Sequence, residues 1–180
     1  MTTPKSGKHH ASTFDPKAEN CGDFGIAIGR DGTWYYHGSP IGRKPLVKLF
    51  ASVLRRDDAG DYWLITPVER GRIVVENAPF TAVEITAEGR DRDQVLRFRT
   101  NLDDEVEAGP EHPLRVDHDP ESGAPSPYVH VRDRLEALIL RPVYYHLVEL
   151  GVEERVGGQP AFGVWSNGLF FALGTVEEPV

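Results

Sequence analysis

Apolar and polar residues along the chain follow a period of two over most of its length and a helical period in two stretches. Gly25-Ile26-Ala27-Ile28 and Trp34-Tyr35-Tyr36-His37 flank Arg30-Asp31-Gly32-Thr33, and an Asp-Gly pair between β-prone runs predicts a hairpin. From Arg43 to Leu54, the residues Leu46, Val47, Leu49, Phe50, Val53 and Leu54 make a stripe of helical period. Pro45 suits the first turn of that helix, and Arg55 and Arg56 suit the last, where the dipole favours cations. Strands are expected at 62–65, 72–75, 81–87 and 95–100. The last of these sets Leu96, Phe98 and Thr100 against Val95, Arg97 and Arg99, the alternation of a half-buried antiparallel strand. Short edge strands are expected at 105–107 and 114–116, and a further strand at 128–131. Residues 135–140 fit either helix or strand. A second helix is expected over 141–152, with Pro142 in its first turn and Val143, Leu147, Val148, Leu150 and Val152 as its apolar set. Ser166-Asn167-Gly168 between two apolar runs predicts a closing hairpin.

Two stretches resemble each other in order and spacing. Ile41-Gly42-Arg43-Lys44-Pro45-Leu46, a helix, a loop and Tyr62-Trp63-Leu64 match Ile139-Leu140-Arg141-Pro142-Val143, a helix, a loop and Phe162-Gly163-Val164-Trp165. Chance recurrence of an Arg-then-Pro helix start is the competing explanation. Duplication predicts an α+β fold of two related halves, each with one principal helix among mainly antiparallel strands. The expected divisions are a tail over 1–23, a first half over 24–116 and a second half over 117–180. The seam is placed in 117–127, a stretch rich in Pro, Gly and acids.

Composition narrows the class. Hydrophobic residues make up 39% of the 180, enough for a core. The lone Cys21 can form neither an intramolecular disulfide nor a thiolate zinc cluster. No stretch has the length of a membrane span, and the first twenty residues lack an apolar signal core, so a cytoplasmic location is expected. The formal charge is −8 but uneven: +2 over residues 1–100 and −10 over 101–180. An acidic second half would repel a phosphate backbone, which argues against general nucleic-acid binding. The local exception is 41–56, where Arg43, Lys44, Lys48, Arg55 and Arg56 stand without an acid. Such a patch on an acidic protein can attract a small anion.

The chain also resembles a family of uncharacterised bacterial proteins known only as a domain of unknown function. The resemblance spans about 24–175. It rests on Trp34 to Ile41, Thr66 to Ile73, Asn77-Ala78-Pro79-Phe80, His112 to Val116, Pro127 to Arg132 and Val164 to Gly168. It implies a duplicated core with a second half like a pleckstrin-homology fold, a ligand site between the halves, a nucleotide-type ligand and a role in signal transduction. It supplies no catalytic positions.

Candidate chemistry centres on the helix starts. Arg43 and Arg141 precede comparable helices, where free N–H groups also favour anions, and Lys48 lies one turn inside the first. Two guanidinium forks could each take a phosphate bidentately, although capping or pairing with the many carboxylates would occupy them equally well. Trp34, Tyr36, His37, Tyr145 and Trp165 complete the expected site as stacking or edge partners for a base, with core packing the simpler use for any one of them. Neither a Gly-x-x-x-x-Gly-Lys-Ser/Thr loop nor a Gly-x-Gly-x-x-Gly fingerprint accompanies them. His112, Asp117, His118, Asp119 and Glu121 have metal-ligand composition but lie in a Pro-rich loop, better read as solvated and acidic. Ser166 lacks the spacing of a nucleophile elbow, and Cys21 has no basic activator. The reading is a ligand-binding module for a small anion of nucleotide type, without cofactor or catalytic motif. The alternative is a protein-interaction module that takes no small ligand.

Overall fold

Three strands, a helix and three more strands form the first unit of the computed structural model, which describes residues 21–176. Strands β1 (Cys21–Ile28), β2 (Trp34–Tyr36) and β3 (Ser39–Pro40) make an antiparallel meander, helix α1 (Lys44–Ser52) follows, and β4 (Leu54–Arg56), β5 (Tyr62–Ile65) and β6 (Arg70–Val75) make a second. The two meanders join through a parallel β1–β6 pair into a sheet ordered β3-β2-β1-β6-β5-β4. A second six-stranded sheet, ordered β10-β11-β12-β7-β8-β9, holds β7 (Phe80–Glu88), β8 (Val95–Thr100), β9 (Glu105–Glu107), β10 (Leu114–His118), β11 (Pro125–Arg132) and β12 (Leu135–Ile139). Helix α2 (Arg141–Glu149) leads to a three-stranded sheet of β13 (Val152–Val156), β14 (Gln159–Ser166) and β15 (Leu169–Thr175).

The duplication is visible in this order. β10-β11-β12-α2-β13-β14-β15 repeats β1-β2-β3-α1-β4-β5-β6 element for element, and β7 to β9 insert between the repeats. The matched phrases occupy matched positions, since Tyr62-Trp63-Leu64 lies in β5 and Phe162 to Trp165 in β14, each the middle strand of its meander. The repeats differ at one seam. Where β1 and β6 share a parallel ladder, their counterparts β10 and β15 run side by side without one. An apolar cleft of about 380 Å³ lies there, between Val116 and Leu173.

One buried cluster joins both repeats, running from Ile28, Trp34 and Leu54 through Phe80 and Phe98 to Leu147 and Val164. Helix α1 contributes Val47 and Ala51, and α2 contributes Val143 and Leu147. Polar bonds also cross between repeats. The Arg132 Nη2 donates to the Ala51 carbonyl at 2.5 Å while its guanidinium lies 5.3 Å from the Phe80 ring centre. No helix among the described residues is long and apolar enough to cross a membrane.

Several boundaries differ from the sequence expectation. Helix α1 stops at Ser52, because Leu54 pairs with Leu64 and pulls Arg55 and Arg56 into β4 instead of a last helical turn. Helix α2 stops at Glu149, and Val152 opens β13 by pairing with Gly163. Residues 135–139 are strand. The seam placed at 116/117 falls inside a hairpin, since β10 and β11 pair from Leu114↔Val129 to His118↔Pro125 around the 119–124 loop. A Pro- and acid-rich stretch marks a hairpin loop as readily as a linker, and the second six-stranded sheet already begins at Phe80. Of the expected tail, residues 21–23 belong to β1 and the remainder lies outside the described residues.

Candidate functional site

The helix starts were the expected anion site. Arg43 is the N-cap of α1, and Leu140 that of α2, so Arg141 opens its helix. Both arginines are exposed and neither has a carboxylate partner among the described residues. Pro at the start of each helix removes one N–H that an anion would use. The two starts lie at the same end of the second sheet. The Lys44 ammonium reaches Asp103 in the β8–β9 turn, and the Leu140 N–H reaches the Ala82 carbonyl, whose residue pairs with Thr100. Lys48 is already committed, however. Asp103 accepts Lys44 Nζ at 2.9 Å and Lys48 Nζ at 2.7 Å, which hold its carboxyl down at about 2.

The expected aromatics separate. Trp34 is 1% exposed and lies in the core 6.3 Å from Phe50, because its register partner Ile28 faces inward; it cannot stack on a ligand. Tyr36 is on the same face but beyond the core's edge, 54% exposed, with the His37 ring edge-on at 4.3 Å. His37 adopts a positive φ of 44° and its ring sits over Gly25, itself at φ 63°, where a Cβ would collide with the imidazole. Tyr145 is exposed on α2. Trp165 is half-buried in the second repeat, where Arg92 covers its ring at 4.8 Å and its indole N–H donates to Glu154 at 3.2 Å. Of the eight expected residues, only Tyr36 and His37 are joined by a side-chain contact, ring against ring.

A different constellation forms where the repeats meet. The β4–β5 turn of the first repeat and the β10–β12 meander of the second enclose a groove of about 530 Å³, lined by Arg56, Asp57, Asp58, Arg115, His130, Arg134 and Glu136 among others. Each side supplies an arginine lying over a tyrosine: Arg56 is 5.3 Å from the Tyr62 ring centre, and Arg115 is 4.2 Å from that of Tyr128. Such contacts hold the guanidinium plane flat on an apolar surface. Burial pushes the Tyr62 hydroxyl above its usual range, against the pull of the Arg56 charge.

The cations of the groove are not equally free. Arg115 is forked onto Glu136, Nε to Oε1 and Nη2 to Oε2 both at 2.7 Å, and also holds Asp117. Those bonds, Glu136 foremost, raise its already high pKa. Arg134 pairs with Asp58 across the two repeats. Asp57 is drawn below the usual carboxylate range, first by the Trp63 indole N–H at 2.9 Å. Arg56 keeps only the Gly60 carbonyl, at 3.4 Å, and the Tyr62 face. It is the groove's one cation without a carboxylate among the described residues. His130 donates its Nε2–H to the Asp133 carbonyl, 2.6 Å away, and its Nδ1 is buried without a partner.

Residues 12–78 match the model for the "Domain of unknown function (DUF1285), N-terminal domain", and 79–173 that for the "Protein of unknown function (DUF1285), C-terminal domain". The chain belongs to the DUF1285 family. It is similar to the crystal structure of a DUF1285 family protein from Silicibacter pomeroyi DSS-3, at 47% identity and a TM-score of 0.79 over 86% of this chain and 82% of that one. A second DUF1285 crystal structure, from Shewanella baltica OS155, is 28% identical with a TM-score of 0.53, over 69% of this chain and 90% of that one. Comparison with curated proteins finds no match. The division between the two DUF1285 domains, at 78/79, coincides with the start of β7 rather than with 116/117.

Arg56 stands in the acid-free basic segment of this DUF1285 chain, and only its pairing from β4 with Tyr62 brings it to the groove. Arg115, Tyr128 and His130 stood inside the family phrases, which was the one signal that could have found them. Among the described residues no group of three or more His, Cys, Asp and Glu is placed to hold a metal. Ser166 is buried, donating to the Ala108 carbonyl and accepting the Leu96 N–H, a structural use of the hydroxyl.

Proposed function

We propose that this DUF1285 chain is a ligand-binding module that takes a small anionic ligand of nucleotide type in the groove between its repeats. The observation that carries the reading is Arg56: a guanidinium over a tyrosine ring, at an inter-repeat groove, with no carboxylate of its own. Arg115 is locked by Glu136 and orients rather than binds. Tyr128 is buried beneath Arg115 and Tyr62 half-buried beneath Arg56, so the flat surface offered to a base is the Arg56 guanidinium plane itself. A ligand bridging two halves ties their arrangement to its own concentration, which is what a signalling role needs.

Thermal denaturation with a nucleotide panel tests this. A nucleotide at about 100 times its dissociation constant adds roughly 2.7 kcal/mol, a rise of about 5–11 °C for a chain of this size. Arg56→Ala removes a charge-assisted hydrogen bond and is expected to weaken binding about 10- to 100-fold. No shift with any nucleotide, or an undiminished shift in Arg56→Ala, overturns the reading.

Docking of a protein on the outward face of the first sheet is the second reading. It is favoured by Val74, 62% exposed, which lines up with Ala27 and Tyr35 in one cross-strand row. Capture of a partner that Val74→Arg abolishes, from protein that binds no nucleotide, would favour it.

A further inference from the structure

Three of the four carboxylates in and beside the groove hold its arginines, with unequal grip, and that difference indicates the shape of the ligand. Glu136 meets Arg115 with two parallel bonds and is only 20% exposed, so this pair is fixed. Asp117 holds a third position on the same guanidinium. Asp57 is taken by the Trp63 indole and the Asp61 N–H. Asp58 is different. It sits on the β4–β5 turn, its side chain is 91% exposed, and it touches Arg134 through a single nitrogen, with Arg134 itself 56% exposed. Exposed single-contact pairs are weak, and the remaining guanidinium N–H groups of Arg134 face no protein acceptor among the described residues.

Resting on the reading above, we propose that the groove selects a ligand with two separate anionic groups. Arg56 of the first repeat meets one group, and Arg134 of the second meets the other after giving up Asp58. Asp58 is then an internal stand-in for the second anion. A monoanion satisfies Arg56 alone and leaves the Asp58–Arg134 pair in place. A ligand with two anionic groups satisfies a cation on each repeat and exchanges a weak single contact for a bidentate one. The locked Arg115–Glu136 pair, also in the lining, is a fixed part of the wall with no cation left over for a third anionic contact.

Calorimetry on the full chain without divalent metal, using orthophosphate, pyrophosphate and triphosphate as probes, tests the proposal. At least one of the longer probes is expected to bind tenfold or more tighter than orthophosphate. Arg134→Gln is expected to erase that preference, by lowering binding of the longer probe tenfold or more. Asp58→Asn is expected to tighten the longer probe about two- to fivefold, the ceiling set by an exposed pair, and orthophosphate by less. Glu105→Gln, on the far edge strand β9, makes the same change in net charge and should do nothing. A preference that survives Arg134→Gln, an Asp58→Asn protein indistinguishable from wild type or matched by Glu105→Gln, or no binding of any of these probes overturns the inference. The two levels separate cleanly. If nucleotide binding depends on Arg56 but is indifferent to Arg134 and Asp58, this inference falls and the binding module stands; if it is indifferent to Arg56, both fall.

Discussion

Ser166→Ala should cost this protein about 3 kcal/mol, although it removes a single oxygen. The hydroxyl is fully buried, donates to the Ala108 carbonyl at 2.6 Å and accepts the Leu96 N–H at 2.9 Å, so it fastens the end of β14 to β8 and to the segment after β9. After substitution the Ala108 carbonyl retains the Asn167 side-chain amide at 2.9 Å and loses about 1 kcal/mol. The Leu96 N–H is left buried, at a cost of about 1–3 kcal/mol. For a chain of this length the sum lowers the melting temperature by about 6–12 °C. Urea denaturation should show the midpoint falling with an unchanged slope, because the native surface is the same. Ser39→Ala, at an exposed position, is the control and should stay within about 0.5 kcal/mol of wild type. A loss below about 1 kcal/mol in Ser166→Ala would refute the reasoning, since it would mean that the Leu96 N–H finds another acceptor.

Trp34→Ala should cost about 3–5 kcal/mol in the same assay, as a fully buried indole is replaced by a cavity; stability within about 1 kcal/mol of wild type would place Trp34 outside the core. Asp103→Asn should change how the protein responds to acid. Its folded carboxyl lies at about 2 against an ordinary 3.8, through Lys48 first and Lys44 second, so its contribution is complete above pH 4 and fades as pH falls toward 2. The stability gap between wild type and Asp103→Asn should therefore be widest at neutral pH, narrow between pH 4 and 2, and shrink in high salt, because the cluster is exposed. A gap that is flat with pH contradicts the assignment.

The alternating strands were legible because one face of each is buried. β8 buries Leu96, Phe98 and Thr100 and leaves Val95, Arg97 and Arg99 half-buried, the period that its sequence displays. The Asn167-Gly168 turn was equally plain, and both residues take the positive φ that such a turn requires, 49° and 74°. Helix ends were less legible. Val53 to Arg56 continue an apolar-basic helical pattern, and only the tertiary pairing of Leu54 with Leu64 and Arg56 with Tyr62 turns them into a strand. The site was least legible, for the same reason. Whether an arginine is free is decided by which carboxylate folds beside it, and Arg115 with Glu136, Arg134 with Asp58 and Lys48 with Asp103 are each partners across 21 to 76 residues of sequence.

Duplication explains why the groove has the form it does. Each repeat alone is a meander, a helix and a meander, and in the first the outer strands β1 and β6 close on each other. The second repeat does not close in the same way. The inserted β7 takes the free side of β12, at Ala137↔Phe80 and Ile139↔Ala82, and extends that meander into a six-stranded sheet. β10 is left as its edge, beside β15 but unpaired with it. The face of the β10–β12 meander that carries Arg115, His130 and Glu136 is then free to stand against the β4–β5 turn of the first repeat. The Arg-over-Tyr pairs on either side come from unmatched strands, Tyr62 from β5 and Tyr128 from β11, so the groove is not a symmetric axis between copies. An asymmetric groove can hold one arginine locked and leave another open, which a symmetric one could not, and that inequality is what gives it a direction for a ligand to bind.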